Sequence, residues 1–323
     1  MKFIIIATVI VLRDNWGMEL RHLSYFVAVA TQLNFTRAAD SLLVSQSALS
    51  KQIADLEREV GTPLLERNKR VVRLTPAGRV FFEDAQVILE RADAAKERAT
   101  RVARGEEGEL SIGFFSAPVI GFLPDLIREY RTEHPQVKLH MKELTPDKQL
   151  TAFAKEDIDV GFTRPLPPGY PELSTETLFH ERWVAVVSKS HCLAGRRRIR
   201  LSDLACDSFV LLERRVAIGL HDHVISACQK DGFSPAVTQT PELMTTVLTL
   251  VAAEQGVSVV PEGVRNLQNQ QVVFLPISPG LDPFPLIICW RTRDTSPLTE
   301  AFRKLVCRRM SQIVKSGSPD EVD

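Results

Sequence analysis

Residues 34–61, NFTRAADSLLVSQSALSKQIADLEREVG, contain two short amphipathic helical patterns with a tight break between them. Thr36 is placed to cap the first helix, and Ser45 is placed to cap the second. The first pattern puts its apolar residues on one face: Ala38, Ala39, Leu42 and Leu43. The second repeats apolar residues at spacings of 4, 3 and 4: Leu49, Ile53, Leu56 and Val60. Two such helices joined by so few residues predict a helix-turn-helix.

The other face of the second helix carries small or hydrogen-bonding groups, which allow a helix to enter the major groove of DNA and meet base edges and phosphates. These groups are Gln46, Ser47, Ser50 and Lys51. An ordinary helical hairpin with a solvated polar face is the alternative interpretation. A third apolar helix pattern upstream, around Phe26, and a basic segment downstream favour the DNA-binding one.

The basic segment has four cations within seven residues: Arg67, Lys69, Arg70 and Arg73. Residues 63–75 read as two short strands around 68–70, a wing that can lie along the phosphate backbone or enter the minor groove. Residues 1–104 hold 16 Lys and Arg against 12 Asp and Glu, a net charge of +4, which suits phosphate contact. We therefore expect DNA contacts from one set of residues: Thr36, Gln46, Ser47, Ser50, Lys51, Arg70 and Arg73.

Thr75 followed by Pro76 is a strong helix start, and the next breaker apart from Gly78 is Gly105. The apolar positions of this long helix alternate at spacings of 4 and 3, as in a coiled-coil seam: Phe81, Ala85, Ile88, Ala92 and Ala95, continuing to Ala99 and Val102. The seam predicts pairing with a second copy of the chain. The alternative is that the stripe packs on its own domain.

From Glu109 the pattern changes to alternating strands and helices, which predicts a mostly parallel sheet with ligands at the carboxyl ends of its strands. Ser116, Thr145 and Arg164 fall there, and the first two each follow a strand and open a helix. A hydroxyl and free amides at one crevice suit a carboxylate. The alternative is that the two hydroxyls are only helix caps and Arg164 is a surface cation.

The segment from Met18 to Gly78 resembles the amino-terminal signature of LysR-type transcriptional regulators, and the resemblance continues through the chain. Within that family the chain is similar to the regulators of aromatic-acid catabolism. The resemblance implies an all-α winged helix-turn-helix DNA-binding domain plus linker helix, joined to an α/β two-lobed effector domain of the periplasmic-binding-protein type (type 2). It also implies a cytoplasmic dimer of dimers that binds promoter DNA, works with RNA polymerase and responds to an aromatic carboxylate.

The resemblance fixes the expected domain ranges: an extension at 1–17, the DNA-binding domain at 18–75, the linker helix at 76–104, the effector domain at 105–316 and a tail at 317–323. Lobe I is expected at 106–178 and 279–316, with lobe II at 179–278. Carried over from relatives, the effector site comprises Ser116, Thr145, Arg164, Ile218, Gly219 and Thr240. Where relatives often have Tyr-Pro-Ser-like residues, this chain has Glu213, Arg214 and Arg215.

Several features argue against other classes. Five widely spaced cysteines without CxxC spacing indicate no zinc site or disulfide framework, and residues 221–223, HDH, point in different directions on a helix. We find no catalytic motif and expect no enzyme activity, metal or cofactor. The apolar run Phe3–Leu12 resembles a signal-peptide core but lacks a cleavage pattern and is too short to span a membrane. An exported solute-binding protein and a LysR-type regulator of a non-aromatic pathway remain the alternatives.

Overall fold

A computed structural model of the chain describes residues 17–67 and 72–316. The chain divides into two compact units, one ending at Thr100 and one beginning at Arg101. Three of the sequence predictions lie outside the described residues: the extension before residue 17, Arg70 in the wing, and the tail at 317–323. No helix in the described ranges combines the length and apolar character needed to cross a membrane.

The first unit contains the predicted helix-turn-helix with a third helix before it and two short strands after it. Its elements are α1 (Leu20–Gln32), α2 (Phe35–Ser41), α3 (Gln46–Val60), β1 (Leu65–Arg67), β2 (Val72–Leu74) and α4 (Pro76–Ala103). Strands β1 and β2 pair antiparallel, with Leu65 opposite Leu74. The apolar face of α3 is buried as predicted at Leu49, Ile53 and Leu56.

The cap of α2 is Asn34, and the prediction that Thr36 caps it is wrong. The Asn34 side chain accepts hydrogen bonds from the amides of Thr36 and Arg37, each at 3.0 Å. Asn has a short carbonyl that reaches amides two and three residues ahead, so it competes well for the position before the first helical turn. At α3 the prediction is confirmed, because Ser45 Oγ accepts a hydrogen bond from the Ala48 amide.

Helix α4 begins at the predicted Thr75–Pro76 pair, where the Gly78 amide donates to Thr75 Oγ1 at 2.8 Å. Its first turns pack on the first unit itself. Phe81 meets the Phe26 ring edge-on at 5.3 Å between centroids, and Ala85 is buried. Of the predicted seam, Ile88 and Ala95 are exposed and Ala92 is half-buried. For Phe81 and Ala85, the alternative that the stripe packs on its own domain is therefore correct.

The second unit has two lobes, each with its own sheet and core. Lobe I contains β3 (Glu107–Phe114), α5 (Ser116–Val119), α6 (Leu123–Glu133), β4 (Gln136–Glu143), α7 (Pro146–Ala154), β5 (Val160–Thr163), β6 (Leu173–Glu181), β12 (Phe284–Arg291) and α10 (Pro297–Ser316). Lobe II contains β7 (Trp183–Ser188), β8 (Ser208–Val210), α8 (Ile218–Lys230), β9 (Ala236–Gln239), α9 (Met244–Ala252), β10 (Ser258–Pro261) and β11 (Val272–Pro276).

The lobe I sheet has the order β4-β3-β5-β12-β6. Strand β3 pairs parallel with β4 and β5, whereas β12 pairs antiparallel with β5 and β6. Four strands therefore run in one direction, and β12 runs against them because it brings the chain back from lobe II. Strand β6 was not predicted, and it crosses the expected lobe boundary at 178/179. In lobe II, β7 is the centre of an antiparallel sheet of order β10-β7-β11, and β8 pairs parallel with β9.

Candidate DNA interface and effector cavity

Most residues predicted to meet DNA lie on the surface of the first unit. Those exposed are Thr36, Gln46, Ser47, Lys51 and Arg73, while Ser50 is half-buried. Gln46, Ser47 and Lys51 leave α3 with an exposed polar face beside its buried stripe of Leu49, Ile53 and Leu56. Within the described ranges, neither Lys51 nor Arg73 has an ion-pair partner, and both charges are available to phosphates.

Arg67 belongs to the predicted basic segment, yet its charge is already engaged. Its Nη2 atom lies 2.6 Å from Glu57 Oε2, and its guanidinium lies 5.0 Å from the centre of the Phe35 ring. Glu57 Oε1 also accepts from the Leu64 and Leu65 amides at 2.9 Å. This carboxylate, which the sequence pattern does not reveal, ties β1 to α3.

The second unit contains a cavity of about 510 Å³ lined by both lobes. Its wall is mainly apolar: Phe115, Ala117, Leu144, Pro146, Leu212, Val216, Ala217, Leu220, Leu243, Met244, Pro261, Val264 and Leu267. The polar or charged lining residues are Glu143, Thr145, Lys148, Arg164, Glu242 and Thr245. An apolar chamber with a few polar groups suits a small organic ligand.

Thr145 stands at the start of α7 and lines this cavity. Its Oγ1 atom is buried, makes no hydrogen bond within the described residues, and does not cap the helix. The cap-only alternative is therefore wrong for Thr145. Gln149 fixes the neighbouring backbone, because its Nε2 atom donates to the carbonyls of Leu144 at 3.1 Å and Phe162 at 2.9 Å. A buried hydroxyl left unpaired carries a desolvation cost that a ligand acceptor would relieve.

Ser116 begins α5, and its neighbours Phe115 and Ala117 line the cavity. The side chain of Ser116 lies outside the described part of the structure. Three further sequence choices are not lining residues. Ile218 is 41% exposed, Gly219 packs near the Phe284 ring, and Thr240 is exposed. Neighbouring residues line the cavity instead, among them Val216, Ala217 and Leu220. The turn before α8 faces the cavity, whereas Ile218, the first residue of α8, faces away from it.

Arg164 is not the surface cation of the alternative interpretation. It is buried against the cavity wall, where Nη2 lies 2.5 Å from Glu181 Oε2 and Nη1 donates to the Pro285 carbonyl at 3.2 Å. Burial lowers the pKa of Arg164, and the Glu181 carboxylate opposes this. Glu181 also accepts from the Gly263 amide at 2.8 Å, so the pair joins β5, β6 and lobe II.

Charged side chains surround the lobe II side of the cavity. Arg215 pairs with Glu213 at 2.6 Å and with Glu242, which lines the cavity. Arg214 pairs with Asp222 at 2.7 Å and holds the pKa of that carboxyl below its usual value. The three HDH side chains have separate partners: His221 bonds the Leu212 carbonyl, Asp222 bonds Arg214, and His223 stacks on Trp183.

Two family models match the chain: the bacterial regulatory helix-turn-helix protein of the lysR family over residues 20–79, and the LysR substrate binding domain over residues 103–311. The chain belongs to the LysR family. It is a LysR-type transcriptional regulator with a helix-turn-helix domain and a two-lobed effector-binding domain, which confirms the predicted family and fold class. Curated relatives of this LysR chain are themselves transcriptional regulators.

Three similar proteins illustrate the match. The Hca operon transcriptional activator HcaR of Escherichia coli is 36% identical over 92% of this chain and 99% of its own length. The regulator AlsR of Bacillus subtilis is 35% identical over 88% of this chain and 94% of its own. The crystal structure of full-length CbnR complexed with its target DNA superposes with a TM-score of 0.77 at 32% identity, covering 91% of this chain and all of that one.

Proposed function

We propose that this LysR regulator activates genes for the breakdown of aromatic acids when a small aromatic carboxylate occupies the cavity of the second unit. One observation carries the ligand assignment: the buried Thr145 hydroxyl has no hydrogen-bond partner within the described residues. The likeness to HcaR, which is named an operon activator, supports the role in activation. A regulator of a non-aromatic pathway is the competing assignment.

The chemistry of the cavity favours a carboxylate at the Thr145 end. A carboxylate oxygen accepts from the hydroxyl and from the unsatisfied amides in the first turn of α7, where the helix dipole also favours negative charge. We assign Ser116 as the second hydroxyl at this end. The aromatic body then covers the apolar wall, and each Å² of apolar surface so buried contributes about 25 cal/mol. Binding and a shift in lobe closure suffice for this role, without turnover.

At the other end of the chain, we assign promoter DNA recognition to the exposed face of α2 and α3 and to the wing. The residues are Thr36, Gln46, Ser47, Ser50, Lys51, Arg70 and Arg73. Two copies present two recognition helices to a two-fold symmetric site, and two dimers form the cytoplasmic tetramer that meets RNA polymerase.

For pairing of copies we keep the part of the α4 seam that follows Ala85, namely Ile88, Ala92 and Ala95, since Phe81 and Ala85 pack inside the first unit. Ile88→Glu places a charge in this seam and should shift the sedimentation velocity of the protein toward smaller species. A substitution elsewhere on the helix, Glu90→Gln, is the control. If the sedimentation velocity distribution of Ile88→Glu matches that of the unaltered protein, this face of α4 does not pair the two copies.

Calorimetric titration with a panel of aromatic and aliphatic carboxylates tests the ligand assignment. Thr145→Val removes the hydroxyl while keeping the shape, and we expect the affinity for the best acid to fall about tenfold or more. Thr151→Val, the same change at an exposed position of α7, should leave affinity unchanged. Equal affinities for Thr145→Val and the unaltered protein would refute the site, and preference for aliphatic acids would favour the competing pathway.

A further inference from the structure

We propose that Leu43, in the turn between α2 and α3, contacts the methyl group of a thymine when this LysR regulator binds its operator. The inference rests on the proposed assignment of α3 to DNA recognition, and it adds an apolar contact to a set of residues that is otherwise polar or charged. It follows from the conformation of the turn, which holds a bulky apolar side chain in solvent beside the DNA-binding residues.

Leu43 has a backbone conformation that leucine rarely adopts. Its φ angle is +57°, in the left-handed region that favours glycine or asparagine. Two hydrogen bonds close the turn, from the Leu43 amide to the Asp40 carbonyl at 3.2 Å and from the Val44 amide to the Ala39 carbonyl at 3.0 Å. These are the two bonds of a Schellman helix end, in which glycine usually occupies the position of Leu43. The turn therefore imposes the left-handed conformation on this residue.

The Leu43 side chain makes little contact with its own chain. It is 93% exposed, a larger fraction than that of any other large apolar residue in the described ranges. The prediction that Leu43 shares the apolar face of the first helix is wrong, because α2 ends at Ser41 and a left-handed turn follows. Its neighbours Leu42 and Val44 pack on the core of the first unit instead. A strained residue with so little internal packing indicates a contact outside the chain.

The position of Leu43 identifies what it contacts. Two residues further on, Ser45 caps α3, and the exposed Gln46 and Ser47 follow in its first turn. In a helix-turn-helix, the amino-terminal residues of the second helix meet base edges in the major groove. The apolar group on those edges is the thymine methyl, and a leucine side chain has no atom that can hydrogen-bond a phosphate. Leu43 therefore fits a thymine better than the phosphate backbone.

The test uses a duplex that the unaltered full-length protein selects from a random pool of double-stranded DNA. Each thymine of the selected site is replaced in turn by deoxyuridine, which pairs in the same way but lacks the methyl group. For the unaltered protein, we expect the loss of one particular methyl per half-site to weaken binding about fourfold. For Leu43→Asn, which keeps the left-handed turn but removes the apolar side chain, the same replacement should have no effect. If no thymine shows this dependence on Leu43, the inference is overturned.

Leu43→Asn itself should lower the affinity for the selected duplex about tenfold, since the contact is lost in both half-sites. Its unfolding temperature should be no lower than that of the unaltered protein, because asparagine tolerates the left-handed conformation. Leu33→Asn is the matched control and should leave the affinity unchanged. Leu33 is also a left-handed leucine at a helix end, with φ +47° and 48% exposure, but it follows α1 and is not beside α3. An unchanged affinity in Leu43→Asn, or an equal loss in Leu33→Asn, overturns the inference.

Other kinds of contact give different results in the same assays. Lys51→Gln should reduce the salt dependence of binding, because lysine meets phosphates, whereas Leu43→Asn should keep the salt dependence of the unaltered protein. A reduced salt dependence in Leu43→Asn would overturn the apolar contact. Smaller species of Leu43→Asn in sedimentation velocity would show that Leu43 contacts a second copy of the chain, and would also overturn it. A protein that selects no sequence from the pool overturns the assignment of α3 to DNA recognition and this inference with it.

Discussion

Arg164 and Glu181 form an ion pair inside the effector domain, with side chains only 6% and 5% exposed and Nη2 2.5 Å from Oε2. Removing one partner of such a pair strands the other charge away from water. Arg164→Met should therefore lower the free energy of unfolding by about 3–5 kcal/mol. Urea unfolding followed by fluorescence of Trp183 and Trp290, both in this unit, measures the loss.

The double variant Arg164→Met/Glu181→Leu tests whether the loss of stability in Arg164→Met comes from the unpaired charge of Glu181 or from altered packing. Because it removes both charges, it should be more stable than Arg164→Met alone. A double variant that is less stable than Arg164→Met would show that packing, and not the unpaired carboxylate, dominates.

The cap of α2 gives a second prediction. Asn34→Ala removes a side-chain acceptor from two amides and should cost about 1 kcal/mol of stability. Thr36→Ala removes no cap and should change stability by less than about half a kcal/mol. Thermal unfolding followed by circular dichroism compares them, and a larger loss for Thr36→Ala would contradict the assignment of the cap.

Gly78 permits a close approach between α4 and Leu64, the residue just before β1. A Cβ added there would lie 1.9 Å from the Leu64 carbonyl oxygen, a backbone atom that cannot move aside cheaply. Gly78→Ala should destabilise the first unit by about 3 kcal/mol and weaken DNA binding with it. Gly195→Ala, where an added Cβ meets no atom within 4 Å, should be neutral in the same unfolding assay. Equal stability of the two variants would refute the close approach.

His223 stacks on Trp183 at 4.7 Å, and burial lowers its pKa, with Lys230 acting in the same direction and Asp282 against it. The unfolded chain therefore binds this proton more readily than the folded one. Stability should be complete above the unfolded value of about 6.5 and fall as the pH drops through it toward the folded value. Urea midpoints at several pH values should show a shallower decline for His223→Gln, and identical slopes would contradict this cause.

Local pattern was enough to predict the elements that depend on nearby residues. The stripe of Leu49, Ile53 and Leu56 predicted α3, and Thr75 with Pro76 predicted the start of α4. The same reasoning placed Thr145 after a strand end, where the structure has it lining the cavity, because strand order in an α/β lobe follows from the alternation of elements.

Contacts between distant residues were not predictable in this way. Glu57 pairs with Arg67 ten residues on, and Arg164 with Glu181 seventeen residues on, so no helical or strand period relates them. Strand β6 was missed because it is an edge strand with several exposed polar residues, and its apolar alternation is weak. The prediction for the cavity-lining turn before α8 was wrong by one or two residues, because the orientation of this turn depends on packing between distant residues.

Footprinting of the protein on its own upstream intergenic DNA, with and without the aromatic acids, tests the central claim most directly. We predict a protected region that shortens or moves when one of these aromatic acids is added. The footprint of the Thr145→Val protein should no longer change with that acid. A footprint indifferent to every acid would contradict the effector site, and the absence of any footprint would contradict the assignment of that DNA as the operator.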